Sequence, residues 1–209
     1  MGEQFAHAGR FDALERHVPA FDEASHRYTH PDGRRLVSVT QAIQAAGLVN
    51  TEWFNESAAW RGSVVHKCCE LDCKGTLMES SVDPAALPYL QAWRAWKQNV
   101  GFTPTEIEQR HYHPTLLYSG TQDRAGYLPN GDECDVDLKT GVAQKWHAIQ
   151  LAAYGNFHRL PRTRRRFTVR LQPDGRYVTT EYTNATWQQD WATFQSCLVI
   201  ANWRHINGR

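Results

Sequence analysis

Residues 119–141, SGTQDRAGYLPNGDECDVDLKTG, decide how this chain folds. Two runs suited to strands flank Pro129-Asn130-Gly131. Asn-Gly between such runs is a strong hairpin signal, because a tight primed turn needs residues that tolerate positive φ. Asp123 lies on the first run and Asp137-Leu138-Lys139 on the second. Side chains alternate along a strand, so Asp137 and Lys139 leave one face while Val136 and Leu138 leave the other. The hairpin folds Asp123 back beside Asp137. Two carboxylates and an ammonium at one point suit a hard divalent cation with a phosphate close by, the chemistry of phosphodiester hydrolysis. A surface salt bridge on a hairpin uses the same residues, and spacing alone leaves both readings standing.

Downstream, residues of about 144–158 read as a helix with Gln150 and Tyr154 on one face. Strands follow at about 165–171 and 176–182 around a Gln172-Pro173-Asp174-Gly175 turn. A last helix, about 185–204, carries Trp187, Trp191, Phe194, Leu198 and Ala201 at helical spacing. Upstream, strands at about 105–113 and 117–127 precede the one at 133–140. Asp83-Pro84 opens a helix whose stripe of Leu87, Leu90, Trp93, Trp96 and Val100 ends at Gly101. From about 51 to 74 the pattern is helical, with a break expected at Arg61-Gly62 and an exit at Gly75. Ser38 and Gln41 make a capping box for a helix that stops near Gly47. Before it, residues 27–37 read as a small hairpin turned at His30-Pro31-Asp32-Gly33, and residues 1–25 as a loose arm or short helix. The order of elements predicts an α/β protein with a mixed central sheet flanked by helices.

At 209 residues the chain can bury one substantial core. The expected layout is an N-terminal arm, hairpin and helix over 1–50 and the main domain over 51–209, compact as a whole. With 23 basic and 22 acidic residues there is no global polyanion-binding signature. A local basic groove offset by acidic metal ligands gives the same balance. Five cysteines, an odd number without a paired framework, point to reduced thiols and a cytoplasmic setting. No Cys-x-x-Cys pair occurs, which argues against zinc. No apolar run approaches membrane-spanning length, and MGEQFAHAGRF has no secretory apolar region, so no membrane partner is expected.

Other candidates carry two readings each. His66 and Glu70 share a helix face, and the imidazole is either a metal ligand or a structural residue. Gln150 and Tyr154 either orient a phosphate or water, or are plain helix surface. Trp53, Phe54 and Trp60 either stack on unpaired bases or pack in the core. The run Arg159, Arg162, Arg164, Arg165 and Arg166 either holds phosphates or forms a solvated edge. Arg61 is the preferred single phosphate contact. His111 and His113, alternating on a strand just before the acidic hairpin, either stand at the surface or line the groove.

In sequence order, Arg61-Gly62-Ser63-x-x-His66, Glu108, Gly120-Thr121-x-Asp123, Asp137-x-Lys139 and Gln150-x-x-x-Tyr154 together resemble the PD-(D/E)XK nuclease superfamily. The resemblance is nearest to its RecB-type branch, which includes lambda-type exonucleases and the mitochondrial genome maintenance exonuclease. The Tyr28…Ser38-Val39-Thr40-Gln41 segment resembles the N-terminal region of phage-borne members, so the likeness covers residues 26–182. It implies a restriction-endonuclease-like core. It assigns metal ligation to His66, Asp123, Asp137 and the Leu138 carbonyl, with Glu108 as a further acidic ligand. Lys139 would position or deprotonate the attacking water, and Gln150 and Tyr154 would match the QxxxY motif. DNA contacts would fall to Arg61, Trp53, Phe54, Arg162, Arg164 and Arg165. One or two Mg²⁺ or Mn²⁺ ions are implied. An iron–sulfur cluster is not, because only Cys134 and Cys197 follow the upstream cysteines, far apart. Asp replaces the commoner Glu in the (D/E)xK slot. The implied activity is exonucleolytic hydrolysis of linear single- or double-stranded DNA in phage recombination or repair, with a single-strand annealing protein or recombinase as partner. A structure-selective endonuclease on the same core and a catalytically silent nucleic-acid-binding module are the alternatives.

Overall fold

The computed structural model describes residues 17–49 and 55–208. The strands are β1 (Ala20–Asp22), β2 (Arg27–Thr29), β3 (Arg35–Ser38), β4 (Thr103–Tyr112), β5 (Tyr118–Tyr127), β6 (Glu133–Lys139), β7 (Arg165–Leu171) and β8 (Tyr177–Tyr182). The helices are α1 (Val39–Ala45), α2 (Glu56–Lys74), α3 (Leu87–Val100), α4 (His147–Gly155) and α5 (Asn184–Asn207). The strands form one mixed sheet in the order β1-β2-β3-β5-β6-β7-β8, with β4 on the other edge of β5. β3–β5 and β6–β7 are parallel and the remaining pairs antiparallel. A parallel pair needs a crossover, and α4 supplies it between β6 and β7.

Local chemistry explains most boundaries. The Asn130-Gly131 turn closes β5 onto β6 with Gly131 at φ +85° and Leu128 N–H donating to Asp132 O at 3.0 Å. Ser38 caps α1 through the reciprocal bonds with Gln41. Gly75 and Gly101 end α2 and α3 in the left-handed conformation.

Three expectations are corrected. Residues 20–22 form a strand rather than a loose arm or helix, held by pairing with β2. The second helix runs unbroken through Arg61-Gly62, capped by Asn55, because packing outweighs the roughly 1 kcal/mol cost of one interior glycine. The third starts at Leu87, since Asp83 is spent on a turn in which its carboxylate accepts from Ala85 N. Residues 51–54 of the expected second helix lie outside the described residues.

Helices cover both faces of the sheet. Val65 and Cys69 of α2 and Leu90, Trp93 and Trp96 of α3 pack on Val136, Leu138, Phe167, Val169 and Leu171. On the other face, α1, α4 and α5 bury Val39, Ile43, Ala153, Phe194 and Leu198 around Tyr118. Arg166, which alternates with Phe167 on β7, accordingly reaches Ala148 O of α4 and Asp190 of α5. Among the described residues no helix is long and apolar enough to cross a membrane.

One irregularity positions the site. The same edge of β5 pairs with β3 at Tyr118 and Ser119 and with β6 from Arg124 onward. Residues 120–123 have neither neighbour on that edge. Past Val136, β6 leaves β5 and continues only along β7.

Candidate metal centre

Where β6 peels away, Leu138 loses its backbone partner on β5, and a side chain replaces it. Its N–H donates to Asp123 Oδ2 at 2.7 Å. Its carbonyl accepts from His66 Nε2 at 3.0 Å, so α2 is pinned to the same residue. That bond turns His66 Nδ1 toward two carboxylates, 3.6 Å from Asp123 Oδ2 and 3.7 Å from Glu108 Oε1. Donor atoms of His66, Glu108 and Asp123 all lie within 4.8 Å of one another. Glu108 stands across from Asp123 on β4 with φ +48°, a left-handed conformation that costs a non-glycine residue free energy and marks a constrained position. The buried Arg124 guanidinium holds Glu108 Oε1 at 2.9 Å and lies 5.7 Å from the Trp93 ring.

The electrostatics follow from crowding charge in a poorly hydrated place. Burial disfavours a charged His66, but Asp123 and Glu108 outweigh it and push the imidazole up to about 9. A proton on His66 therefore supplies positive charge between the two carboxylates. Burial, reinforced by the charge of Asp123, raises Asp137 to about 6 against the opposing pull of Lys139. Lys139 donates to Asp137 Oδ1 at 2.9 Å. Asp137 Oδ2 is 2.8 Å from the same ammonium without a well-directed hydrogen bond. Burial likewise opposes the charge of Lys139, yet Asp137 and Asp123 hold it above the ordinary lysine value.

Tyr154 comes to the site from α4. Burial and then the charges of Asp123 and Asp137 raise its phenol well above the ordinary value, so it keeps its proton. Gln150 Nε2 donates to its oxygen at 3.1 Å, which leaves the Tyr154 O–H to donate elsewhere. The ring lies against Gly120, where a Cβ would come within 2.8 Å of Tyr154 Cε1.

The donor chemistry fits a hard divalent cation. Two carboxylates, an imidazole nitrogen and the neighbouring Leu138 carbonyl, which keeps a second lone pair, suit Mg²⁺ or Mn²⁺. Asp137 is not among the three clustered donors; its carboxylate is paired with Lys139, two residues along the same strand, β6.

The structure sorts the remaining candidates. Glu70 is engaged by Lys67 at 2.9 Å and Lys74 at 2.7 Å, outside the donor group. Trp53 and Phe54 lie outside the described residues. Arg61 is half-buried on α2 with Nε unpartnered, and Trp60 is exposed. The basic run divides sharply. Arg162 is exposed and sits over the Trp187 ring, whereas Arg165 makes two bonds to Glu181 at 2.7 and 2.8 Å. Arg164 is 4% exposed and clamps the fully buried Asp135, so its assignment as a DNA contact is corrected to a structural one. His111 is also corrected: it is buried, bonded to Glu106 at 2.8 Å and stacked on Phe157. Arg124 was missed by sequence reasoning. Its signal in the sequence is weak, a second charge directly after Asp123 on a strand of mostly buried residues.

A mixed sheet between two helical layers is thus the fold class of this chain, with the candidate site at a split in the sheet. Among solved structures, that of a "putative exonuclease" from Eubacterium rectale matches with a TM-score of 0.52. The match covers 80% of this chain and 81% of that one at 12% sequence identity, and at that identity it is a likeness of fold. No family model and no curated protein matches the sequence.

Proposed function

We propose that this protein is a divalent-metal-dependent deoxyribonuclease, an exonuclease acting on linear DNA in phage recombination or repair. The observation that carries this reading is the convergence of His66, Glu108 and Asp123 within 4.8 Å, beside the Asp137–Lys139 pair at the split in the sheet. The fold likeness to the E. rectale protein supports it.

His66 Nδ1, Glu108 and Asp123 would hold the ion, with Asp137 adding charge beside it. A bound Mg²⁺ or Mn²⁺ would act as a Lewis acid on the phosphate and lower the pKa of water. Lys139, kept charged by Asp137 and Asp123, offsets charge that develops on the scissile phosphate and orients the attacking water. Tyr154, still protonated and accepting from Gln150, donates its hydrogen bond toward a phosphate oxygen or that water. Leu138 ties Asp123 and His66 together through its N–H and carbonyl. A single-strand annealing protein or recombinase is the partner this activity would serve.

The test is degradation of end-labelled linear duplex, single-stranded and circular DNA with Mg²⁺ or Mn²⁺, wild type beside Lys139→Ala. Metal-dependent loss of linear DNA alone, abolished in the variant, is the expected result, and the label then gives the polarity. Cleavage of circles would replace the exonuclease with an endonuclease on the same core. DNA bound but uncut under all conditions would overturn the enzymatic reading.

A further inference from the structure

We propose that Trp146 is a positioning residue for Lys139, holding the ammonium against Asp137 where the hydrolytic step needs it; this rests on the role given to Lys139 above. Lysine is a point charge on a flexible four-carbon stem, and freezing such a side chain costs rotamer entropy. The hydrogen bonds of Lys139 run to Asp137, on its own strand and the same face. A second constraint comes from the entry to α4, where the Trp146 ring centroid lies 5.6 Å from Lys139 Nζ. That separation is within the range in which an ammonium is attracted to an indole face.

The ring itself is fixed. Trp146 is buried, packed in the core formed by α1, α4 and α5. Its Nε1–H donates to Gln144 Oε1 at 2.6 Å, and His147 meets it edge-on with centroids 4.5 Å apart. The ring therefore cannot turn without breaking the Gln144 bond or displacing a buried neighbour. The ammonium thus has two partners, a carboxylate and an indole face. Trp146 reaches the reacting atoms only through Lys139, and nothing in the role requires it to touch DNA.

The experiment compares Trp146→Phe and Trp146→Leu with wild type, each checked by thermal melting. Turnover and KM are measured on linear DNA with Mg²⁺. Independently, the ε-methylene NMR signal of Lys139 is followed, assigned from its disappearance in Lys139→Arg. In wild type it is expected upfield of the other lysines through the ring current of the indole. Trp146→Leu should return it to the common position and lower turnover about tenfold with KM within about twofold. Trp146→Phe should keep part of the shift and stay within about threefold of wild type. Should the leucine variant not fold, Gln144→Ala, which removes the hydrogen bond that fixes the ring, must lower turnover in the same direction while still melting cooperatively.

A folded leucine variant as active as wild type, or a Lys139 signal that never moved, overturns the proposal and leaves the nuclease reading intact. A wild type that cuts no DNA while its Lys139 signal is shifted overturns the reading of the reaction and keeps the contact.

Discussion

Arg164→Ala tests whether the basic run is an interface or an internal brace. Arg164 Nε lies 2.9 and 3.0 Å from the two oxygens of Asp135, and its terminal nitrogens reach Asp135 Oδ1 at 2.7 Å, Glu133 at 2.9 Å and Cys134 O at 3.2 Å. Asp135 is 0% exposed, so removing the guanidinium strands a buried carboxylate that keeps, among the described residues, a hydrogen bond from Gln122 Nε2 and the His158 imidazole at 3.7 Å. Breaking one partner of a buried pair typically costs about 3–5 kcal/mol. At about 2–4 °C per kcal/mol for a chain of this size, melting should fall by roughly 6–20 °C. Circular dichroism melts and urea titrations read this directly. Arg164→Lys should lie between, since an ammonium keeps the charge but loses the forked contact. On the proposed function, the salt dependence of DNA binding should be unchanged in a folded Arg164 variant, whereas Arg162→Ala should shallow the slope by about one. A melting temperature within about 2 °C of wild type, with weakened DNA binding, would show that Arg164 is no internal brace and return it to the phosphates.

Three further outcomes follow from the same geometry. Gly126→Ala would put a Cβ 2.1 Å from Thr103 O and 2.8 Å from Phe102 in the β4–β5 ladder, so it should cost at least about 3 kcal/mol; a wild-type urea midpoint would disprove that approach. Mn²⁺ at about 100 times its Kd should add about 2.7 kcal/mol of stability, some 5–10 °C, seen by thermal shift and lost in Asp123→Asn. In metal-free buffer His66, raised from 6.5 to about 9, contributes stability that is complete below about pH 6.5 and lost as pH climbs through 9. The decline should be at most about 3–4 kcal/mol by urea unfolding and should flatten in His66→Gln; a rise in stability over that window would contradict the assigned shift.

Much of the architecture is legible because it is written in local chemistry. The Asn130-Gly131 turn, the Ser38–Gln41 capping box and the glycines ending α2 and α3 each act within a few residues. The alternation in Asp135–Lys139 places Val136 and Leu138 in the core formed with α2 and α3 and leaves the charges on the other face. What stays hidden depends on distant partners. Arg164 looks solvent-facing in a basic run until Asp135 arrives from β6, 29 residues away. His111 looks like an exposed strand residue until Glu106 and Phe157 close over it. The strand at 20–22 is too short to show a period and exists because β2 pairs with it. Within the site, Asp123, Asp137 and Lys139 are readable as a hairpin. The left-handed backbone at Glu108 and the brace from Arg124 arise from tertiary packing and leave no local signature.

Asp123 is a proposed ligand and at the same time the hydrogen-bond partner that β5 fails to give Leu138. The Leu138 amide is thereby a built-in reporter. Its exchange with solvent deuterium measures how firmly the carboxylate is docked, residue by residue, in protein never offered a substrate. The same dual duty ties architecture to reactivity: swapping the carboxylate for an amide would weaken cation binding while keeping an oxygen for the Leu138 N–H, whereas truncation would open the ladder as well. Substitutions at this position thus separate loss of chemistry from loss of scaffold, a distinction that few residues in a buried polar site allow.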